Sequence, residues 1–187
     1  LAYPPEGGPV VVDTNLDDAV DPAAARARGA VGLKLLVIWR RDAKREARVD
    51  LARQFIDAAA ERGVLSVLEP VVRATPEELA DGSWDAEEGI REAARELSPL
   101  RPSLYKVQVP LAGAGEPEEQ RAASEQLARD IVGPWVVLSQ GVALDRFAAA
   151  VEAACRAGAS GFLAGRALWS DVVGVHDVPK ILRERSR

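Results

Sequence analysis

Three ionisable residues sit inside runs that otherwise read as buried β-strands: Lys34 in "VGLKLLVIW", Glu69 in "LSVLEPVV" and Lys106 in "SLYKVQVP". Successive strand residues point to opposite faces. Leu104, Lys106 and Gln108 therefore share one face, and Tyr105, Val107 and Val109 the other. By the same rule Glu69 goes with Leu65, Val67 and Val71, and Lys34 with Leu36 and Ile38. If the three faces line one interior, two ammoniums and a carboxylate meet there. An unpaired buried charge costs several kcal/mol, so such groups must pair or shift their pKa values. Crowding by a second ammonium and partial desolvation lower a lysine's pKa, and a neutral amine is the nucleophile that attacks a ketone to form a Schiff base. Glu69 would move protons during carbinolamine dehydration and imine hydrolysis. A structural Lys/Glu network inside a barrel has the same spacing, and spacing alone does not separate the two.

A second group points to an anion. "PWVVLSQGV" ends on Ser139 and Gly141, and "AGASGFLAGRALW" carries Ala164, Gly165 and Arg166. Small residues let backbone N–H groups approach a ligand, and Arg166 adds a fixed positive fork. The bland alternative gives the glycines to tight turns and Arg166 to a surface acid.

The elements that must position these residues alternate. The strands are 31–39, 65–72, 103–110, 134–141 and 160–167, with a further one around "LAYPP". Between them run amphipathic segments rich in Ala, Glu and Arg: 43–63 ending on Gly63, 85–98, 117–131, and 144–158 ending on Gly158. This is the signature of βα units on a parallel sheet. A doubly wound dinucleotide fold would show a G-x-G-x-x-G turn after its first strand, and none is present. Instead Lys34, Glu69, Lys106, Ser139 and Arg166 fall near the ends of different strands, as in a (β/α)8 barrel, whose last two loops commonly bind phosphate. A full barrel takes about 250 residues, so 187 residues predict one domain, 1–187, that is a partial TIM barrel lacking its first one or two βα units. Residues 4–22 read as a long irregular loop in which Asp13, Asp17 and Asp18 are solvated.

Composition narrows the partners. Net charge is −5 and the arginines are interspersed with acids, which leaves no basic face for nucleic acid. One cysteine and one histidine cannot form a disulfide or the usual soft-metal site, and suit a reducing cytoplasm. No apolar run reaches membrane-spanning length, and the first residues lack the order of a signal peptide. Cys155 reads as a small buried hydrophobe and His176 as a tail residue, since no G-x-S-x-G elbow accompanies it. Trp39, Trp135 and Trp169 read as packing at strand ends, and Trp84 as preceding a helix. "PLAGAGEPEE" suits either a cover over substrate or a helix cap.

The stretches "GLKLLVIW", "VLEPVV", "LYKVQVP", "WVVLSQGV" and "GASGFLAGRALW", in this order and spacing, resemble the class I tagatose-bisphosphate and sulfofructosephosphate aldolases. The resemblance runs from about residue 29 to 173. It implies that Lys106 forms the Schiff base, Glu69 is the proton shuttle and Lys34 lines the site. Ser139, Gly141, Gly165 and Arg166 would grip a phosphate or sulfonate. The implied reaction cleaves a phosphorylated or sulfonated ketose to dihydroxyacetone phosphate and a three-carbon aldehyde, with no metal or other cofactor, because the protonated imine is itself the electron sink. Family members open with two βα units, the first bearing an active-site aspartate that has no counterpart here. Two alternatives stand beside this one: a phosphate-binding regulatory barrel without turnover, and another sugar-phosphate lyase or isomerase. Oligomeric state is left open, a homo-oligomer included.

Overall fold

Five parallel strands lie side by side in the order in which they occur in the chain, β1-β2-β3-β4-β5. In this computed structural model the residues described are 13–17, 19–139, 142, 144–165, 172, 174 and 177–185. The strands are β1 (Gly32–Trp39), β2 (Leu65–Val72), β3 (Leu104–Gln108), β4 (Trp135–Leu138) and β5 (Phe162–Leu163). A doubly wound sheet reverses its strand order at a switch point. Here the order never reverses, which is the topology of a barrel wall.

The long helices are α2 (Arg45–Glu61), α4 (Ala86–Leu97), α5 (Pro117–Asp130) and α6 (Leu144–Arg156). They fall where the alternating pattern predicts them. Their starts are chemically marked: Asp85 accepts from the amides of Glu87 and Glu88 to open α4, and Pro117 is the first helical residue inside the Glu116/Glu119 capping box of α5. Three helices were not expected: α1 (Pro22–Ala27), α3 (Pro76–Asp81) and α7 (Val178–Arg185). The first two have only six residues each, too few for a hydrophobic periodicity to show. They rest on local caps instead, Asp21 accepting from Ala23 N for α1 and a Thr75/Glu78 capping box for α3.

The core lies between the outer face of the sheet and the helices. Leu35, Val37, Trp39, Leu68, Val72, Tyr105, Val107, Val109, Trp135 and Val137 alternate onto that face. They meet Phe55 and Ile56 of α2, Ile90, Ala94 and Leu97 of α4, Leu127 of α5 and Phe147 of α6. Each such large side chain contributes about 1.5–3 kcal/mol when fully buried. The two tryptophans at strand ends that are described, Trp39 and Trp135, are packing residues, as expected. Cys155 departs from expectation. It is exposed, because it falls on the face of α6 opposite Ala153 and Ala154.

Segment 13–17 has no regular structure, but it is not simply solvated. Thr14 Oγ1 accepts from Ile38 N at 2.9 Å, and Asp13 pairs with Lys44. That hydrogen bond from Lys44, helped by the Thr14 amide, holds the Asp13 carboxyl below its ordinary value. Asp18, Trp169, His176 and the first twelve residues lie outside the described residues.

Candidate active site

Strand register brings the three ionisable residues together. Val67 pairs with Leu104 and Leu68 with Tyr105, so the next residues, Glu69 and Lys106, are neighbours across β2 and β3. On the other side Leu36 is level with Glu69, and Lys34 is two residues below it. Glu69 Oε2 accepts from Lys106 Nζ at 3.1 Å and lies 2.8 Å from Lys34 Nζ. One carboxylate oxygen thus serves two ammoniums. The exposures differ in a way that assigns different surroundings: side-chain accessibility is 9% for Glu69 and 14% for Lys106, but 47% for Lys34. The pair Glu69–Lys106 is enclosed, and Lys34 closes it from the solvent side.

The β2–β3 ladder ends at this pair. Val72 N points toward β3, where Gln108 Oε1 accepts from it at 2.6 Å. Two residues earlier, Pro70 faces the same side and has no N–H to donate. Backbone pairing of β2 with β3 extends through Val67 and Leu68, and beyond it the Gln108 amide replaces the ladder. Gln108 is 7% exposed. The sequence put Gln108 on the inward face without giving it a role; its signal is the missing donor of Pro70 opposite an inward-facing amide.

At the same end of the sheet, Leu138 pairs with Leu163, so Ser139 and Ala164 emerge side by side from β4 and β5. Ser139 is 5% exposed, its carbonyl accepting from Val142 N at 2.7 Å. Gly165 is exposed. Gly141 and Arg166 lie outside the described residues.

The segment after β3 resolves as a cap rather than a free flap. A 3₁₀ turn at Pro110–Gly113 leads into α5, and Gln120 Nε2 donates to the Ala114 carbonyl. Leu111 and Ala112 hold left-handed backbone, φ 54° and 48°, which is costly for residues with a Cβ. Glu87 Oε1 accepts from Leu111 N at 2.8 Å and fixes that turn. Burial pushes the Glu87 carboxyl up, the Leu111 amide opposes this and the Asp85 charge adds to it. Sequence reasoning missed Glu87, since its partner is a backbone amide 24 residues away.

Among the described residues no group of three or more His, Cys, Asp or Glu is placed to hold a metal ion, and no helix is long and apolar enough to cross a membrane.

Solved structures with the same fold include a Schiff-base-forming fructose-1,6-bisphosphate aldolase, at TM-score 0.66 and 17% identity over 92% of this chain and 64% of that one. An archaeal fructose-1,6-bisphosphate aldolase, with its catalytic lysine bound to the carbinolamine intermediate, matches at TM-score 0.62 and 17% identity over 86% of this chain and 59% of that one. A fructose-bisphosphate aldolase from Slackia heliotrinireducens matches at TM-score 0.55 and 24% identity over 76% and 44%. The chain thus spans less than two thirds of the length of each, and its parallel sheet is an arc of the barrel that such aldolases form. The family model for DeoC/LacD family aldolases matches residues 5–171, and the chain belongs to that family.

Proposed function

We propose that this chain carries the imine-forming centre of a class I aldolase acting on a ketose phosphate. The observation that carries the reading is the inward Lys106–Glu69 pair, closed by Lys34 on the same oxygen. Lys106 passes one ammonium proton to Glu69, its neutral Nζ attacks the C2 carbonyl, and the proton the nitrogen then sheds goes to the carbonyl oxygen to give a carbinolamine. Glu69 is within reach to deliver the proton with which that hydroxyl leaves as water, forming a protonated imine. A base then takes the C4 hydroxyl proton. The C3–C4 bonding pair flows into the imine, and the aldehyde departs. Protonation of the resulting enamine at C3 and hydrolysis of the imine release dihydroxyacetone phosphate and restore the amine. Lys34 keeps the Glu69 carboxylate aimed at the reacting carbon through its 2.8 Å contact.

Ser139, Gly141, Gly165 and Arg166 hold the C1 phosphate in this reading. Support comes from the adjacent exits of β4 and β5 and from the use of these loops as phosphate sites in barrels. The substrate is tagatose 1,6-bisphosphate or 6-deoxy-6-sulfofructose 1-phosphate, as the sequence resemblance implies, with fructose 1,6-bisphosphate the competing choice from the structural relatives.

The test is reductive trapping. Dihydroxyacetone phosphate with borohydride is expected to add one three-carbon phosphate unit to Lys106. Labelling at Lys34 would exchange the two roles. No labelled lysine in a protein that turns over the three ketose phosphates would end the class I assignment, and phosphate binding with neither label nor turnover would mark a regulatory barrel.

A further inference from the structure

Arg40 follows β1 directly, at the same end of the sheet as Ser139 and Gly165. It is 8% exposed, and its Nε is buried with no hydrogen-bond partner among the described residues. Among the described residues its ion-pair partner is Asp42, whose Oδ2 is 3.7 Å from that Nε, beyond hydrogen-bond length. Asp42 is already committed: both of its oxygens take guanidinium nitrogens of Arg48, at 2.6 and 3.0 Å.

The two flanking residues show which way Arg40 faces. Trp39 Nε1 donates to Glu96 of α4, and Arg41 pairs with Glu78 of α3 and Glu92 of α4. Both therefore lie on the helix side. Alternation from Trp39, the last residue of β1, puts Arg40 on the opposite side, the one that carries Lys34.

A guanidinium stays charged at any working pH, and a buried Nε left without a hydrogen bond, its one counter-charge among the described residues shared with Arg48, is costly. We propose that Arg40 binds a terminal anionic group of the substrate, phosphate or sulfonate, at the end remote from the carbon that Lys106 attacks. This rests on the class I aldolase reading and deepens it, by assigning a substrate with an anion at each end.

The sheet order supports the geometry. Lys106 is on β3, in the middle; the loops of β4 and β5 lie to one side and β1 to the other. Two strand spacings separate β1 from β3, about 10 Å. Arg40 is four residues beyond Leu36, which is level with Glu69, about 13 Å along the strand. A long arginine side chain and an extended six-carbon substrate close that distance together. An anion held by Ser139 and Gly165 and one held by Arg40 then lie on opposite sides of the Schiff-base lysine.

The experiment compares fructose 1,6-bisphosphate with fructose 1-phosphate, which differ only in the distal anion, on the full chain. The wild-type protein is expected to favour the bisphosphate in kcat/KM and in the rise of its melting temperature on binding. In Arg40→Gln that preference is expected to fall about 10- to 100-fold, the worth of a charge-assisted hydrogen bond. Arg40→Lys, which keeps a point charge but loses the fork, is expected to fall between, and it carries the comparison alone if Arg40→Gln does not fold. Inorganic phosphate is the control for a simple anion site: stabilisation by phosphate equal to that by the bisphosphate, in a protein that ignores the distal group, overturns the proposal. So does an unchanged preference in both variants. Borohydride trapping of Lys106 with dihydroxyacetone phosphate reads the aldolase assignment separately, and the melting comparison reads Arg40 whether or not trapping succeeds.

Discussion

Glu69 and Lys106 are opposite each other on adjacent parallel strands, with Oε2 and Nζ 3.1 Å apart, at the level where Pro70 withholds a backbone donor and the ladder stops. The pair is enclosed, and the β2–β3 backbone ladder runs up to it through Leu68 and Tyr105 and no further. A carbonyl carbon approaching Lys106 therefore meets a carboxylate that is fixed from the other side by Lys34.

Glu69→Gln removes the proton carrier and leaves two ammoniums without their carboxylate. Turnover is expected to fall by roughly 10²- to 10⁴-fold, the usual share of a general acid–base group. Some borohydride-trapped adduct at Lys106 should persist, because the nucleophile remains. Stopped-assay kinetics and intact mass measure both, and full activity in this variant would remove Glu69 from the chemistry.

Lys106→Arg keeps the charge opposite Glu69 while abolishing the nucleophile, since a guanidinium does not deprotonate at working pH. The protein is expected to fold, to melt close to wild type, and to give neither turnover nor adduct.

Gln108→Leu tests the bridge that replaces the ladder. It leaves Val72 N buried without its 2.6 Å acceptor, a loss of about 1–3 kcal/mol, measurable by urea denaturation. A variant as stable as wild type would show that Val72 N finds another acceptor and that Gln108 does not hold the two strands at the site.

Glu87 supplies a pH prediction. Burial raises its carboxyl above the ordinary value of 4.5. The native state then holds this proton more tightly than the unfolded chain does, so its contribution to stability is lost as pH rises from about 4.5 through the raised value. Glu87→Gln keeps an acceptor for Leu111 N without a charge. Its stability is expected to gain on wild type as pH rises from 4 to 7. Parallel pH profiles for the two proteins would contradict this.

Gly113 sits at φ 72°, and a Cβ there would come 2.5 Å from Val142 Cγ1. Gly113→Ala is expected to cost about 1–3 kcal/mol through overpacking and backbone strain. Adding Val142→Ala should recover the steric part and leave the strain, so the double variant separates the two in a thermodynamic cycle.

The order of βα units, the positions of the four long helices and the inward face of each site strand were legible in the sequence. These depend on local periodicity: Leu35, Val37 and Trp39 alternate with Lys34, Leu36 and Ile38 whatever the rest of the chain does. Parity could say that Lys34, Glu69 and Lys106 share a side of the sheet, but not that one Glu69 oxygen takes both lysines, because that depends on the register between strands 30 or more residues apart. Caps of a single turn, as at Thr75 and Asp21, carry too few residues to show a period. Asp13 read as solvated because its partner, Lys44, is remote in the chain. Cys155 read as buried because its alanine neighbours hide which side of α6 faces out. Arg40 is the sharpest case: "WRRDA" gives two adjacent arginines with nothing to tell them apart, and only the packed helices, which supply Glu78 and Glu92 to Arg41, leave Arg40 on the other side with its Nε short of a hydrogen bond.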